Sequence, residues 1–243
     1  MKIIKCSFPL LLLLLFGCSS SKETTRTMQQ TKEFRKSVTL KLNYLLYLPK
    51  EYDNSDSLFP LILFLHGKGE RGDNLELVKR HGPPMLVEKG KDFPFILLSP
   101  QCPINTTWAM QTLILNELLN EIIGNYRVDI NRIYLTGLSM GGNGTWSLAV
   151  AYPDKFAAIV PICGWGSPHD MRDIKNIPIW SFHGAKDLDV PIENSQELID
   201  ALIKEGAKPK FTIYPEAEHD CWTETYNNPE LYDWLLSHRK KSN

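Results

Sequence analysis

The stretch YLTGLSMGGNGTW, residues 134–146, decides the fold. An apolar run enters it from residue 132, Ser139 sits between Gly137 and Gly141, and a helical pattern follows over residues 142–152. A strand that ends in Gly-x-Ser-x-Gly and turns at once into a helix holds its serine in a strained turn. The flanking side chains must be small because two backbones approach each other there. The serine also stands at a helix N-terminus, where free N–H groups favour negative charge. A serine that merely caps a helix would give a similar string, but a strand before and a helix after favour an exposed nucleophile.

Working outward, short apolar runs recur at 60–65, 94–99, 132–136, 156–162, 177–182 and 210–214, with one or two early strands in 38–48. Helical spacing appears at 113–123, 142–152, 192–205 and 229–238. Runs that are apolar on both faces suit parallel strands buried between layers. Their alternation with helices predicts an α/β fold, a mostly parallel central sheet with helices on both faces. Ligands of such sheets bind at the carboxyl ends of the strands. His66, Pro100, Ser139, Gly164 and His183 all fall at predicted strand ends and should gather on one rim.

A serine hydroxyl needs a base and oxyanion donors to attack a carbonyl. In the chain order Ser, acid, His, His219 is the expected base because it follows the last strand. Asp187 is the expected acid, following the penultimate strand, with Asp189 in reserve. The expected oxyanion donors are the backbone N–H groups of Met140 and Lys68, with Gly69 close behind. Trp108, Trp165 and Trp222 each follow a strand end or His219, and are candidates for a platform under a sugar ring or an aromatic acyl group.

Four strings, LFLHGKGERGDN, GLSMGGNGTW, FHGAKDLDVP and EHDCW, occur in this order. Together they resemble the α/β-hydrolase superfamily, and more narrowly bacterial esterases of the dienelactone-hydrolase and prolyl-oligopeptidase-like group. That group includes carboxylesterases and feruloyl or acetyl-xylan esterases. The resemblance implies an α/β-hydrolase fold and a serine esterase with Ser139 as nucleophile, Asp187 as acid and His219 as base. It implies Met140 and Lys68 as oxyanion donors, no cofactor and no metal, and a small-molecule or oligosaccharide-linked ester as substrate. A serine peptidase and a non-catalytic glycan-binding lipoprotein are the alternatives. No long lid insertion precedes residue 177, so the site should be open.

The first residues read differently. Lys2 and Lys5 precede an apolar run at 10–16, and Gly17-Cys18-Ser19-Ser20 follows. A basic region, a short apolar stretch and a small-residue cleavage point make an export signal, and the run is short for a membrane span. Its end resembles a bacterial lipobox with Cys18 as the lipidated residue. The expected organisation is a lipoprotein signal peptide at 1–17, a polar flexible tether at 18–31 and a hydrolase domain at 32–243. The protein would then be exported and held by its N-terminal lipid on the periplasmic side or cell surface of a bacterial membrane. Cys102, Cys163 and Cys221 remain, which allows one disulfide or three thiols. A net charge of −1 and no basic stripe give no footprint for nucleic acid.

Overall fold

The structure, a computed structural model, describes Gln29 and residues 31–240. The chain divides into Met1–Thr39 and a compact unit, Leu40–Asn243. Residues 31–39 form no helix or strand. The signal segment 1–17, Cys18 and most of the tether lie outside the described residues.

The compact unit is built on a seven-stranded sheet: β1 (Tyr44–Tyr47), β2 (Phe59–Leu65), β3 (Ile96–Pro100), β4 (Val128–Leu138), β5 (Ala158–Ile162), β6 (Trp180–Gly184) and β7 (Lys210–Tyr214). Their order is β1-β3-β2-β4-β5-β6-β7. Only β1 runs antiparallel, against β3. The early strand is therefore one short edge strand rather than the two that residues 38–48 allowed.

Strand β2, FPLILFL, is buried throughout, and its side chains divide by alternation. Leu61, Leu63 and Leu65 meet helices α2 (Thr112–Asn125), α3 (Met140–Ala151) and α4 (Glu193–Lys204) in one apolar layer. Ile62 and Phe64 share the other layer with α1 (Gly82–Glu88), α5 (Trp222–Asn227) and α6 (Pro229–Ser237). This is the α/β-hydrolase arrangement expected from the sequence.

Strand β5 carries a proline in mid-sheet. The carbonyl of Pro161 accepts from Ser181 Oγ on β6 at 3.2 Å. In a parallel strand a residue's N–H and C=O face the same neighbour, so the N–H that proline lacks is one that β6 would have used. Register between β5 and β6 reduces to Ile162↔Phe182, with an isolated bridge Ile159↔Ile179. By contrast β4 and β5 pair at five positions, from Tyr134↔Ala158 to Leu138↔Ile162.

Candidate active site

Strand β4 ends at Leu138 and α3 begins at Met140, so Ser139 alone makes the turn. Its φ of 53° is one of two positive values among the described non-glycine residues. The turn is held from both sides. The Ser139 N–H donates to Ile162 O at 2.9 Å, and β2 presses on the glycines. A Cβ on Gly137 would lie 2.4 Å from Gly141 O, and one on Gly141 would lie 1.9 Å from Leu65 O. The Ser139 side chain makes no capping bond to its own helix. It faces a histidine instead.

His219 Nε2 lies 2.9 Å from Ser139 Oγ, and His219 Nδ1 lies 2.7 Å from Asp187 Oδ2. The imidazole comes from the loop after β7 and the carboxylate from the loop after β6. The Asp187 side chain is fully buried, whereas that of His219 keeps 20% of its exposure. Asp187 Oδ1 accepts the N–H groups of Asp189 at 3.0 Å and Val190 at 2.8 Å. Of the two aspartates held open, Asp187 is therefore the one against the imidazole, and Asp189 helps to orient it.

A second imidazole lies under this carboxylate. His183 Nε2 is 3.2 Å from Asp187 Oδ2 and 2.8 Å from Val190 O, both acceptors, so it carries the proton. His183 Nδ1 then accepts from Ser195 Oγ at 2.8 Å. Burial lowers the pKa of His183 and favours its neutral form. The sequence places His183 at a strand end, and it is the penultimate residue of β6, but only its fold partners reveal the contact.

Met140 is the first residue of α3, so its N–H has no acceptor within the helix. Lys68 is the first residue of a 3-10 turn, Lys68–Glu70, and its N–H is free of that turn in the same way. Both residues, with Gly69, line one cavity of about 580 Å³ that also reaches Ser139 and His219.

Trp165 and Trp222 line this cavity as expected. Trp108 does not. It is 0% exposed, its Nε1 donates to His66 O at 2.9 Å, and its Cβ fills the space where a side chain on residue 144 would stand. An indole whose N–H is already paired is well suited to full burial, and this one wedges β2 against α3. It is core, and the expectation of a substrate platform is withdrawn for it. Cys102, Cys163 and Cys221 are buried free thiols, so no disulfide joins them. Burial pushes the Cys102 thiol up to about 12.

Two wall residues went unnoticed in the sequence, Glu70 and His81. The loop containing Glu70 was singled out for its backbone, and nothing local marks its carboxylate. Arg71, also in the wall, is tied to the carbonyls of Lys68 and Thr106 at 3.2 and 3.1 Å.

Residues 107–232, a span that holds Ser139, Asp187 and His219, match the model of the dienelactone hydrolase family. The chain belongs to this family. Within and around it, the chain is 27% identical over 182 residues to a bifunctional acetylxylan esterase/xylanase of Neocallimastix patriciarum, covering 72% of this chain and 26% of that one. It is 25% identical over 189 residues to "Probable feruloyl esterase C" of Aspergillus niger, covering 75% and 68%. Among solved structures, a thermostable esterase superposes with a TM-score of 0.73 at 35% identity, covering 83% of this chain and 60% of that one. The chain thus spans about a quarter of the fungal bifunctional relative, and about two thirds of the Aspergillus one.

Proposed function

We propose that this member of the dienelactone hydrolase family is a serine esterase acting by acyl transfer through Ser139, His219 and Asp187. One observation carries the reading: the hydroxyl at the strained turn is hydrogen-bonded to an imidazole whose other nitrogen meets a buried carboxylate. His219 Nε2 takes the Ser139 proton as Oγ attacks the ester carbonyl. The carbonyl oxygen becomes an oxyanion stabilised by the N–H groups of Met140 and Lys68. The imidazolium, stabilised by Asp187, returns its proton to the departing alcohol. An acyl-enzyme is left, and water repeats the sequence to release the acid.

The proposed substrates are small or polysaccharide-linked esters, with acetyl and feruloyl groups as the first candidates. The two indoles in the cavity wall and the names borne by the relatives support this choice. Residues 1–18 support export and attachment through a lipid on Cys18, which radiolabelled palmitate and a Cys18→Ser variant would test in cells.

The deciding experiment is hydrolysis of 4-nitrophenyl acetate, methyl ferulate and acetylated xylan by the chain from residue 29 onward. Ser139→Ala is the control, and matched peptides run beside the esters. A fluorophosphonate probe should label Ser139. Folded protein that takes no label and cleaves no ester would end the proposal.

A further inference from the structure

The Asp187 side chain has no exposure, and a carboxylate so deep holds a charge only where donors surround it. Its Oδ1 receives two backbone N–H groups, from Asp189 and Val190. Its Oδ2 faces two imidazole N–H groups, His219 Nδ1 at 2.7 Å and His183 Nε2 at 3.2 Å. The two imidazoles differ in how firmly they are held. His219 is partly exposed and stands in a loop, whereas His183 is fully buried and belongs to β6. Of the donors on Oδ2, His183 is the fixed one.

Both ends of the His183 ring are specified. Its Nε2 proton is shared between Asp187 Oδ2 and Val190 O, the latter at 2.8 Å. Val190 thus grips the pair twice, with its carbonyl on the ring and its N–H on Asp187 Oδ1. At the other end stands Ser195, the third residue of α4 and 0% exposed. Its hydroxyl proton has two acceptors in reach, His183 Nδ1 at 2.8 Å and Gly164 O at 3.2 Å. The shorter contact leaves Nδ1 bare and the ring proton on Nε2, facing the carboxylate. The end of β6 also touches the backbone that carries His219. A Cβ on Gly184 would lie 2.2 Å from Glu218 O, and the Lys186 N–H donates to Ala217 O at 3.0 Å. The other titratable groups around the carboxylate are Cys163 and Asp189. The Cys163 thiol lies within 4.8 Å of the ligand atoms of Asp187 and His219, and burial raises its pKa well above 9, which keeps it neutral. Asp189 is exposed.

We propose that His183, anchored by Ser195, is a positioning residue for hydrolysis: it pins Asp187 Oδ2 so that the carboxylate stays aimed at His219 and yields it only part of its charge. This rests on the esterase reading and deepens it. A donor on Oδ2 draws off negative charge that would otherwise hold a protonated His219. Removing that donor has two effects. The carboxylate loosens, which lowers kcat, and its pull on the imidazole proton grows, which moves the acid limb of the kcat/KM profile to higher pH. A role in packing alone would weaken the contact between Asp187 and His219 and leave that limb in place or lower it.

The test uses 4-nitrophenyl acetate across the pH range. His183→Leu removes the donor, and His183→Gln offers an amide N–H in place of Nε2–H. A lost hydrogen bond to a charged group predicts a fall in kcat of about tenfold to a hundredfold in His183→Leu, with KM within about twofold of wild type. The acid limb should rise by about half a pH unit or more, and His183→Gln should recover most of both changes. A kcat within about twofold of wild type in His183→Leu, an acid limb that stays or falls, or no recovery in His183→Gln overturns the proposal. A second measurement needs neither a His183 variant nor turnover. In proton NMR of isotope-labelled protein, the His183 Nε2–H resonance should move upfield in Asp187→Asn, because the proton loses a charged acceptor. An unmoved resonance means that the proton serves Val190 alone, and the proposal falls even if His183→Leu does not fold. If the wild type hydrolyses no ester, the esterase reading fails on its own, and the NMR comparison decides the pinning of Asp187.

Discussion

A positive φ at a residue with a side chain costs about 1–3 kcal/mol and persists only where neighbours enforce it. At Ser139 the enforcement comes from Ile162 O and the two glycines packed against β2. The hydroxyl is thereby aimed at His219 before any substrate arrives. Two outcomes follow at this scale. Asp187→Asn keeps the Ser139 and His219 geometry but offers the imidazole an amide, and should lower kcat about 10⁴-fold with little change in KM. Lys68 separates backbone from side chain. Lys68→Ala should lose only a few-fold in kcat, whereas Lys68→Pro removes the N–H and should lose about 10²–10³-fold. The proline is compatible with the turn, because it enters at its first residue and Gly67 before it is extended, with ψ −175°. Steady-state kinetics on one ester decides both. The hydrogen-bonded set Ser139, His219 and Asp187 was legible because each of the three follows a strand end in a fixed order. The burial of Trp108 was not, because its partner His66 lies 42 residues away, and neither were Glu70 and His183, because no local pattern marks a side chain as lining the cavity or as lying under a carboxylate.

Among elements, α3 and β2 meet at Gly141 with no room for a side chain. Gly141→Ala would drive a Cβ to 1.9 Å from a backbone oxygen that cannot retreat, since Leu65 is itself paired in the sheet. Overpacking of this kind should cost at least about 3 kcal/mol, or prevent folding, as measured by urea unfolding against wild type. The buried strands and the long helices could be read from periodicity, because packing on both faces demands near-continuous apolar runs. Helices α1 and α5 escaped, having seven and six residues respectively. Such short segments carry too little repeat to mark a face, and the tertiary contacts of Leu86 and Tyr226 decide their conformation.

Taken as a whole, the molecule keeps two neutral histidines in its interior, His66 and His183, each lowered first by burial. For His66 the folded value of about 4 lies below the ordinary 6.5. The unfolded chain therefore binds the proton first as pH falls. Stability from this group is full above about pH 6.5 and is lost as pH drops toward 4, to a total on the order of 3 kcal/mol. His183 adds to the loss in the same direction. Urea unfolding at pH 7.5 and at stepped lower values should show the slope, and His66→Gln should flatten it. An unchanged slope in that variant would remove His66 as its source.

The proline in β5 has a consequence on the same scale. Ser139 is carried by one side of the β5–β6 junction, while His219 and Asp187 are carried by the other. A sheet missing a rung along that line has a built-in crease, and the crease runs between Ser139 and His219. Gentle heating should part the two halves there first, so the amides of Ile159 and Cys163, bonded across it, should exchange with deuterium sooner than that of Leu63 in the neighbouring β2–β4 ladder. Turnover would then fade while the rest of the sheet is still intact, and the protein would go silent by coming unzipped at its own working line.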